Sequence, residues 1–133
     1  MKKILSLALL VFMISCTKTE KQIELPSEPS PTTVYGKWKL IETYSDPGDG
    51  SGNYEPTNSG KTFEFLVDGT LLSNGEICSL STDTGTASNS TFSISTQKIN
   101  CPNNFNMTYE LENGKLLVRF PCIEGCTHKF ERI

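Results

Sequence analysis

Apolar and polar residues alternate with a period of two through most of residues 36–133, the pattern of half-buried strands. In residues 36–44, Trp38, Leu40 and Tyr44 fall on one face. In residues 62–67, Phe63, Phe65 and Val67 are in phase. Asp68-Gly69 then reads as a two-residue type I′ turn leading into a strand at 70–73. Residues 91–99 read as one strand with Phe92 and Ile94 in phase, and a short strand is expected around 77–80. Met107, Tyr109 and Leu111 alternate, Asn113-Gly114 is a second hairpin signal, and Leu116, Val118 and Phe120 return from it. Residues 127–133 form the last strand. Residues 45–60, rich in Gly, Asp, Asn and Ser, and residues 79–90, rich in Ser, Thr and Gly, read as loops. No window of this region carries a 3.6-residue stripe. Seven or eight short strands joined in sequence by hairpins predict an all-β fold, a small antiparallel up-and-down barrel.

The N-terminal hydrophobic pattern is of another kind. Lys2 and Lys3 precede an unbroken apolar run from Ile4 to Ile14, which ends at Ser15-Cys16. The run is shorter than the roughly 20 residues needed to span a bilayer, so a retained transmembrane anchor is disfavoured. A secretory leader usually ends in small residues. Here a Cys stands at the cut after Met13, Ile14 and Ser15, and this resembles the lipobox of bacterial lipoproteins, with Met13 in place of the usual Leu. The resemblance implies that residues 1–15 are removed and that Cys16 becomes the acylated first residue. Two or three acyl chains such as palmitate hold a protein stably at a membrane where one does not. Thr17 follows the Cys, where an Asp would favour inner-membrane retention, so the expected place is the outer membrane.

Residues 16–33 hold Pro26, Pro29 and Pro31 with few apolar residues. Such a stretch cannot offset its ordering entropy by burial, and it reads as a flexible tether. Residues 34–133 remain as one domain. The chain has 12 Lys+Arg and 15 Asp+Glu, and loss of Lys2 and Lys3 leaves 10 against 15, a formal charge of −5. A mildly acidic chain without a basic cluster lacks the footprint of a nucleic-acid binder.

Four cysteines remain beside Cys16: Cys78, Cys101, Cys122 and Cys126. An even number in an exported chain points to disulfides, and the three possible connectivities are not separable by sequence. Cys78–Cys101 with Cys122–Cys126 is favoured, the second closing a tight loop around Glu124. Zinc on Cys122, Cys126 and His128 is the weaker reading in an oxidising compartment. A c-type haem site needs C-x-x-C-H, which this spacing does not supply. Asp49, Ser51 and Asn53 are spaced like the start of a calcium loop, but Tyr54 and Gly60 stand where an EF-hand needs Gly and Glu.

Gly36-Lys37-Trp38 opens the first strand, and a Gly-x-Trp there followed by a meander resembles the lipocalin pattern. More closely, the chain resembles the lipocalin-like domain of small bacterial lipoproteins of the Bacteroidetes type. The lipobox, the tether, GKWKLIETYSDPGDGSG, FEFLVDGT and the final KFERI carry that resemblance over residues 34–133. It implies an eight-stranded calyx and a small apolar or amphipathic ligand. It also implies that Trp38 and Arg132 close the base of the barrel. The short length and Gly/Ser-rich loops are compatible with an interior filled by side chains.

Strict alternation places Glu42 and Tyr44 on the inner face with Trp38 and Leu40, and His128 and Arg132 on the inner face with Phe130. First and last strands adjoin in a closed barrel, so Arg132 can cover the Trp38 ring or pair with Glu42. The sharper expectation is a ligand site of Trp38, Glu42, Tyr44, His128 and Arg132, with Arg132 and His128 holding a carboxylate. His128 is the only histidine, and no Ser-His-Asp or Cys-His set is visible. The expected function is therefore non-enzymatic: a lipid-anchored envelope protein that binds a small amphipathic molecule, without cofactor. The alternative is a protein-interaction module that contacts an envelope partner through loops 45–60 and 79–90.

Overall fold

The computed structural model describes residues 32–133. The leader of residues 1–15, Cys16 and the tether as far as residue 31 lie outside the described residues. The strands are β1 (Gly36–Ser45), β2 (Asn53–Pro56), β3 (Thr62–Phe65), β4 (Thr70–Ser73) and β5 (Ser88–Ser93). They continue as β6 (Lys98–Ile99), β7 (Met107–Glu112), β8 (Lys115–Phe120) and β9 (Cys126–Arg132), with one 3-10 turn at Pro102–Asn104. All pairings are antiparallel, and β1 pairs with β9, which closes the sheet. β2 lies along residues 42–45 of β1 and β3 along residues 36–39, while β9 takes the other edge. Between them, Thr57 N–H donates to the Ile41 carbonyl (2.8 Å) and Leu40 N–H to the Lys61 carbonyl (3.0 Å). β2 and β3 thus act as one interrupted strand, and the fold is an eight-stranded up-and-down barrel.

The turns follow local chemistry with two departures. Asn113 (φ 50°) and Gly114 (φ 74°) both adopt left-handed backbone, as a type I′ hairpin requires. At the other expected type I′ turn, Gly69 is left-handed (φ 86°) and Asp68 is not. Gly69 N–H donates to the Leu66 carbonyl (3.2 Å), and the Asp68 carboxylate accepts from Thr70 N–H (2.8 Å). This is a longer loop whose turn is closed by a left-handed Gly. β3 therefore stops at Phe65, and Val67 sits in the loop, 83% exposed. Residues 91–99 are likewise two strands, not one: Gln97 (φ 52°) completes a reversal over residues 94–97, and Ile94 lies exposed in it. Residues 45–60 contain β2, and residues 77–80 form no strand, although Ile77 is buried.

Inward side chains fill the interior. The Phe63 and Phe130 rings stack at 4.8 Å, and the Phe65 ring meets Phe92 at 4.8 Å and Tyr109 at 5.4 Å. Leu40, Leu71, Ile99, Met107, Leu116 and Val118 complete the packing around them.

The two ends of the barrel differ. The base carries residues 32–35, the hairpins at 66–69, 94–97 and 113–114, and the chain end. There the Arg132 guanidinium lies 4.3 Å from the Trp38 ring. The Trp38 indole N–H donates to the Val34 carbonyl (2.7 Å), and Arg132 donates to the carbonyls of Tyr35 (2.6 Å) and Thr33. The incoming chain is thereby strapped across the base. The other end, the mouth, carries the loops 46–52, 74–87, 100–106 and 121–125. Both favoured disulfides are present and both lie there: Cys78–Cys101 joins two mouth loops, and Cys122–Cys126 closes a third.

Trp38 is fully buried and carries the base, so Trp38→Ala removes a large side chain from a packed site and frees the strap. The expected loss is about 3–5 kcal/mol in equilibrium urea denaturation. A loss well below 1 kcal/mol would be incompatible with this packing.

Candidate functional site at the barrel mouth

The register of β1 against β9 decides where the candidate residues lie. Leu40 stands opposite Phe130, but Glu42, not Ile41, stands opposite Lys129. Ile41 is the extra residue of a β-bulge, which shifts the alternation of everything after it. Thr43, not Glu42, consequently faces His128. Glu42 forms an ion pair with Lys129, and Lys129 Nζ sits 3.6 Å from the Tyr54 ring centroid. The Tyr44 ring packs on Tyr54 at 5.2 Å, and its hydroxyl donates to Asp46 (3.3 Å). The expectation that Glu42 and Tyr44 line the interior is thus corrected. Strict alternation fails at Ile41, and both belong to the outer face.

The remaining three expected residues do face inward, but not together. Trp38 and Arg132 hold the base. His128 lies four residues from Arg132 along β9, roughly 13 Å at strand spacing, toward the mouth. The Arg132 guanidinium is directed at the Trp38 ring and the strap carbonyls. A carboxylate shared by Arg132 and His128 is therefore not what the fold sets up.

His128 instead has a neighbour that the sequence reading passed over. Lys61 is fully buried, and His128 is 2% exposed. Lys61, Phe63 and Phe65 are in phase on the inner face. Lys61 thus extends the aromatic row of β3 toward the mouth, and its Nζ lies 5.7 Å from the Phe63 ring centroid. That phase is present in the sequence, but lysine is rarely fully buried, so composition argues against an inward Lys61. The His128 ring contacts Phe120 edge-on at 4.6 Å.

Over this pair lies the 74–87 loop. Lys61 Nζ donates to the Ser81 carbonyl (2.5 Å), the Leu80 backbone lies near His128, and Ser59 Oγ donates to the Thr82 carbonyl. Gly85 N–H donates to the Asn74 carbonyl (2.9 Å). Gly75 permits the loop to double back, since a Cβ there would stand 2.4 Å from the Asp83 carbonyl oxygen. Beyond Cys78 the loop is held by polar ties alone, and Leu80 is half exposed. Each such tie contributes about 0.5–1.5 kcal/mol, or about 1.5–3 kcal/mol where a charged group takes part.

The electrostatics of the pair are unfavourable at rest. Burial pushes the His128 imidazole down from 6.5 to about 4, with the Lys61 charge adding to the effect. Burial also lowers Lys61 from its ordinary value, against the opposing pull of Glu76 and Asp83. His128 Nδ1 is buried with no hydrogen-bond partner. Such an orphan is uncommon in native structures.

The metal readings find other arrangements. Cys122 and Cys126 are bonded to each other, so their thiols are not available with His128 as a zinc set. In the 46–52 loop, Asp46 accepts from Gly48 N–H (2.7 Å) and Gly50 N–H (3.2 Å), and Asp49 accepts from Ser51 N–H (2.9 Å). Among the described residues no group of three or more His, Cys, Asp or Glu side chains is placed to hold a metal ion. Comparison of the chain with protein-family models, curated proteins and solved structures finds no match.

Two outcomes follow from the buried pair. Removing an ammonium from water costs several kcal/mol, more than the single carbonyl contact of Lys61 returns. Lys61→Met should therefore be at least as stable as the wild type in urea denaturation at about pH 7. A loss above about 2 kcal/mol would make Lys61 a structural anchor. For His128, the unfolded imidazole takes up a proton near 6.5 and the folded one near 4. Its contribution is fully present above about pH 6.5, declines as the pH falls toward about 4, and is then constant. The whole decline amounts to about 3 kcal/mol. The stability difference between wild type and His128→Gln should change across that window and stay flat above it.

Proposed function

We propose that this chain is a lipid-anchored lipoprotein of the bacterial envelope, of lipocalin-like type, whose barrel binds a small amphipathic molecule at its mouth and catalyses no reaction. The observation that carries the reading is a buried basic pair, the Nδ1 of its histidine lacking a hydrogen-bond partner, beneath a loop held largely by polar ties. Cys16 would supply the outer-membrane anchor and residues 17–33 the tether that keeps the barrel clear of the lipid. The aromatic packing limits the ligand. A long acyl chain would have to displace Phe63, Phe65 and Phe130 from contacts typical of a close-packed core. A small body that fits in the space opened when the loop lifts requires no such rearrangement.

The filled interior also favours a second reading. A barrel whose inner face is occupied has its outer loops left for recognition, so the 46–52 and 74–87 loops would contact an envelope protein. Native mass spectrometry of residues 17–133, exported and purified without detergent, separates the two. A co-purifying small molecule, released on unfolding, is the outcome expected of a carrier. A bare protein mass that takes up no apolar or amphipathic probe would overturn that reading in favour of the interaction module.

A further inference from the structure

We infer that Lys61 and His128 form a binding site for an organic carboxylate; this rests on the proposed small-molecule binding and specifies the ligand class. Two cationic or potentially cationic side chains are buried at the mouth end of the packed interior, close enough for the Lys61 charge to act on His128. Neither has a carboxylate hydrogen-bonded to it among the described residues: Lys61 donates to the Ser81 carbonyl, and the Leu80 backbone lies near His128. Glu76 and Asp83 act on Lys61 from exposed loop positions. His128 Nδ1 is left buried and unpartnered. A carboxylate placed there accepts from Lys61 Nζ in place of the Ser81 carbonyl. Its second oxygen meets Nδ1, as acceptor from the imidazolium or, in the protonated acid, as donor to the neutral ring. Either arrangement places one proton between acid and imidazole and satisfies the orphaned nitrogen. A neutral alcohol can accept from Lys61 and donate to Nδ1 but brings no negative charge to the buried ammonium, and a cation is repelled by Lys61.

The entry route is the loop itself. Cys78 is fixed by its disulfide to Cys101, and Ser88 is fixed at the start of β5. The segment between them crosses the pair and is attached through the Lys61, His128 and Ser59 contacts. Two of those three ties involve the groups that bind the acid, so ligand and loop carbonyls compete for the same side chains.

The single histidine makes the site directly observable. The barrel closes on its own strands, so residues 17–133 labelled with 15N-histidine can be titrated with octanoate, octanol and acetate. Octanoate should move the Nδ1 resonance to a hydrogen-bonded position and bind about tenfold or more tightly than octanol. Lys61→Met should weaken octanoate by about tenfold or more and leave octanol within about twofold. Acetate binding as strongly as octanoate would identify free small acids as the ligands, and preference for octanoate would identify amphiphiles; both support the site. Octanol and octanoate binding equally, or octanoate binding with Nδ1 unmoved, would overturn the acid site while leaving the binding function standing. Failure of all three to bind would overturn both. Wild-type spectra alone decide the question if Lys61→Met does not fold.

Discussion

The pairing of β1 with β9 is the constraint from which the rest of the barrel follows. It converts a meander with two free edges into a closed sheet and brings the Gly-x-Trp strand against the chain's end. Trp38 comes opposite Arg132, and that juxtaposition seals the base. The same ladder contains the bulge at Ile41, so one strand supplies two different surfaces. Before the bulge, Trp38 and Leu40 pack inward; after it, Thr43 faces His128 while Glu42 and Tyr44 join Lys129 and Tyr54 outside. A single inserted residue thus separates a structural half of β1 from a half that borders the mouth.

Closure also explains the division of labour between the ends. The base is stabilised by the strap of residues 33–35 and by Arg132 at the end of β9, which donates to it. The mouth is built from loops poor in apolar residues. Disulfides supply there what burial cannot. Cys78–Cys101 ties the 74–87 loop to the 100–106 loop, and Cys122–Cys126 shapes the turn before β9. Stapling one end of a loop while leaving the rest on polar contacts keeps the chain near the mouth and still allows it to lift.

The strand pattern was legible because period-two alternation is local and the core positions are large. Asn113-Gly114 was legible for the same reason: both residues tolerate the left-handed backbone that the turn needs. Asp68-Gly69 carries the same kind of signal with a different outcome, because the register of β3 against β4 decides which residues close the turn. Ile41 could not be identified as a bulge from β1 alone, since an extra residue exists only relative to a partner strand. Of the candidate site, His128 was legible by phase with Phe130, and Glu42 and Tyr44 were misplaced by the bulge. Lys61 had the right phase with Phe63 and Phe65, but the general preference of lysine for the surface outweighed it. Burial against such a preference is a tertiary fact, imposed by the loop that folds over it.

Arg132 and Lys61 show why the mouth, and not the base, is the place to look for a ligand. Both are basic side chains on the inner face of one barrel. The Arg132 guanidinium meets an aromatic face and donates to two backbone carbonyls, in the geometry that its planar fork favours. Its surroundings account for its presence: it strengthens the closure that the fold requires. Lys61 is more deeply buried, donates to one loop carbonyl and adjoins an imidazole whose Nδ1 has no partner. An apolar residue at 61 would continue the row of Phe63 and Phe65 without the desolvation that an ammonium suffers. Stability alone therefore explains the partly buried arginine and not the buried lysine. A residue that works against the core it sits in is what the proposed acid-binding role would account for.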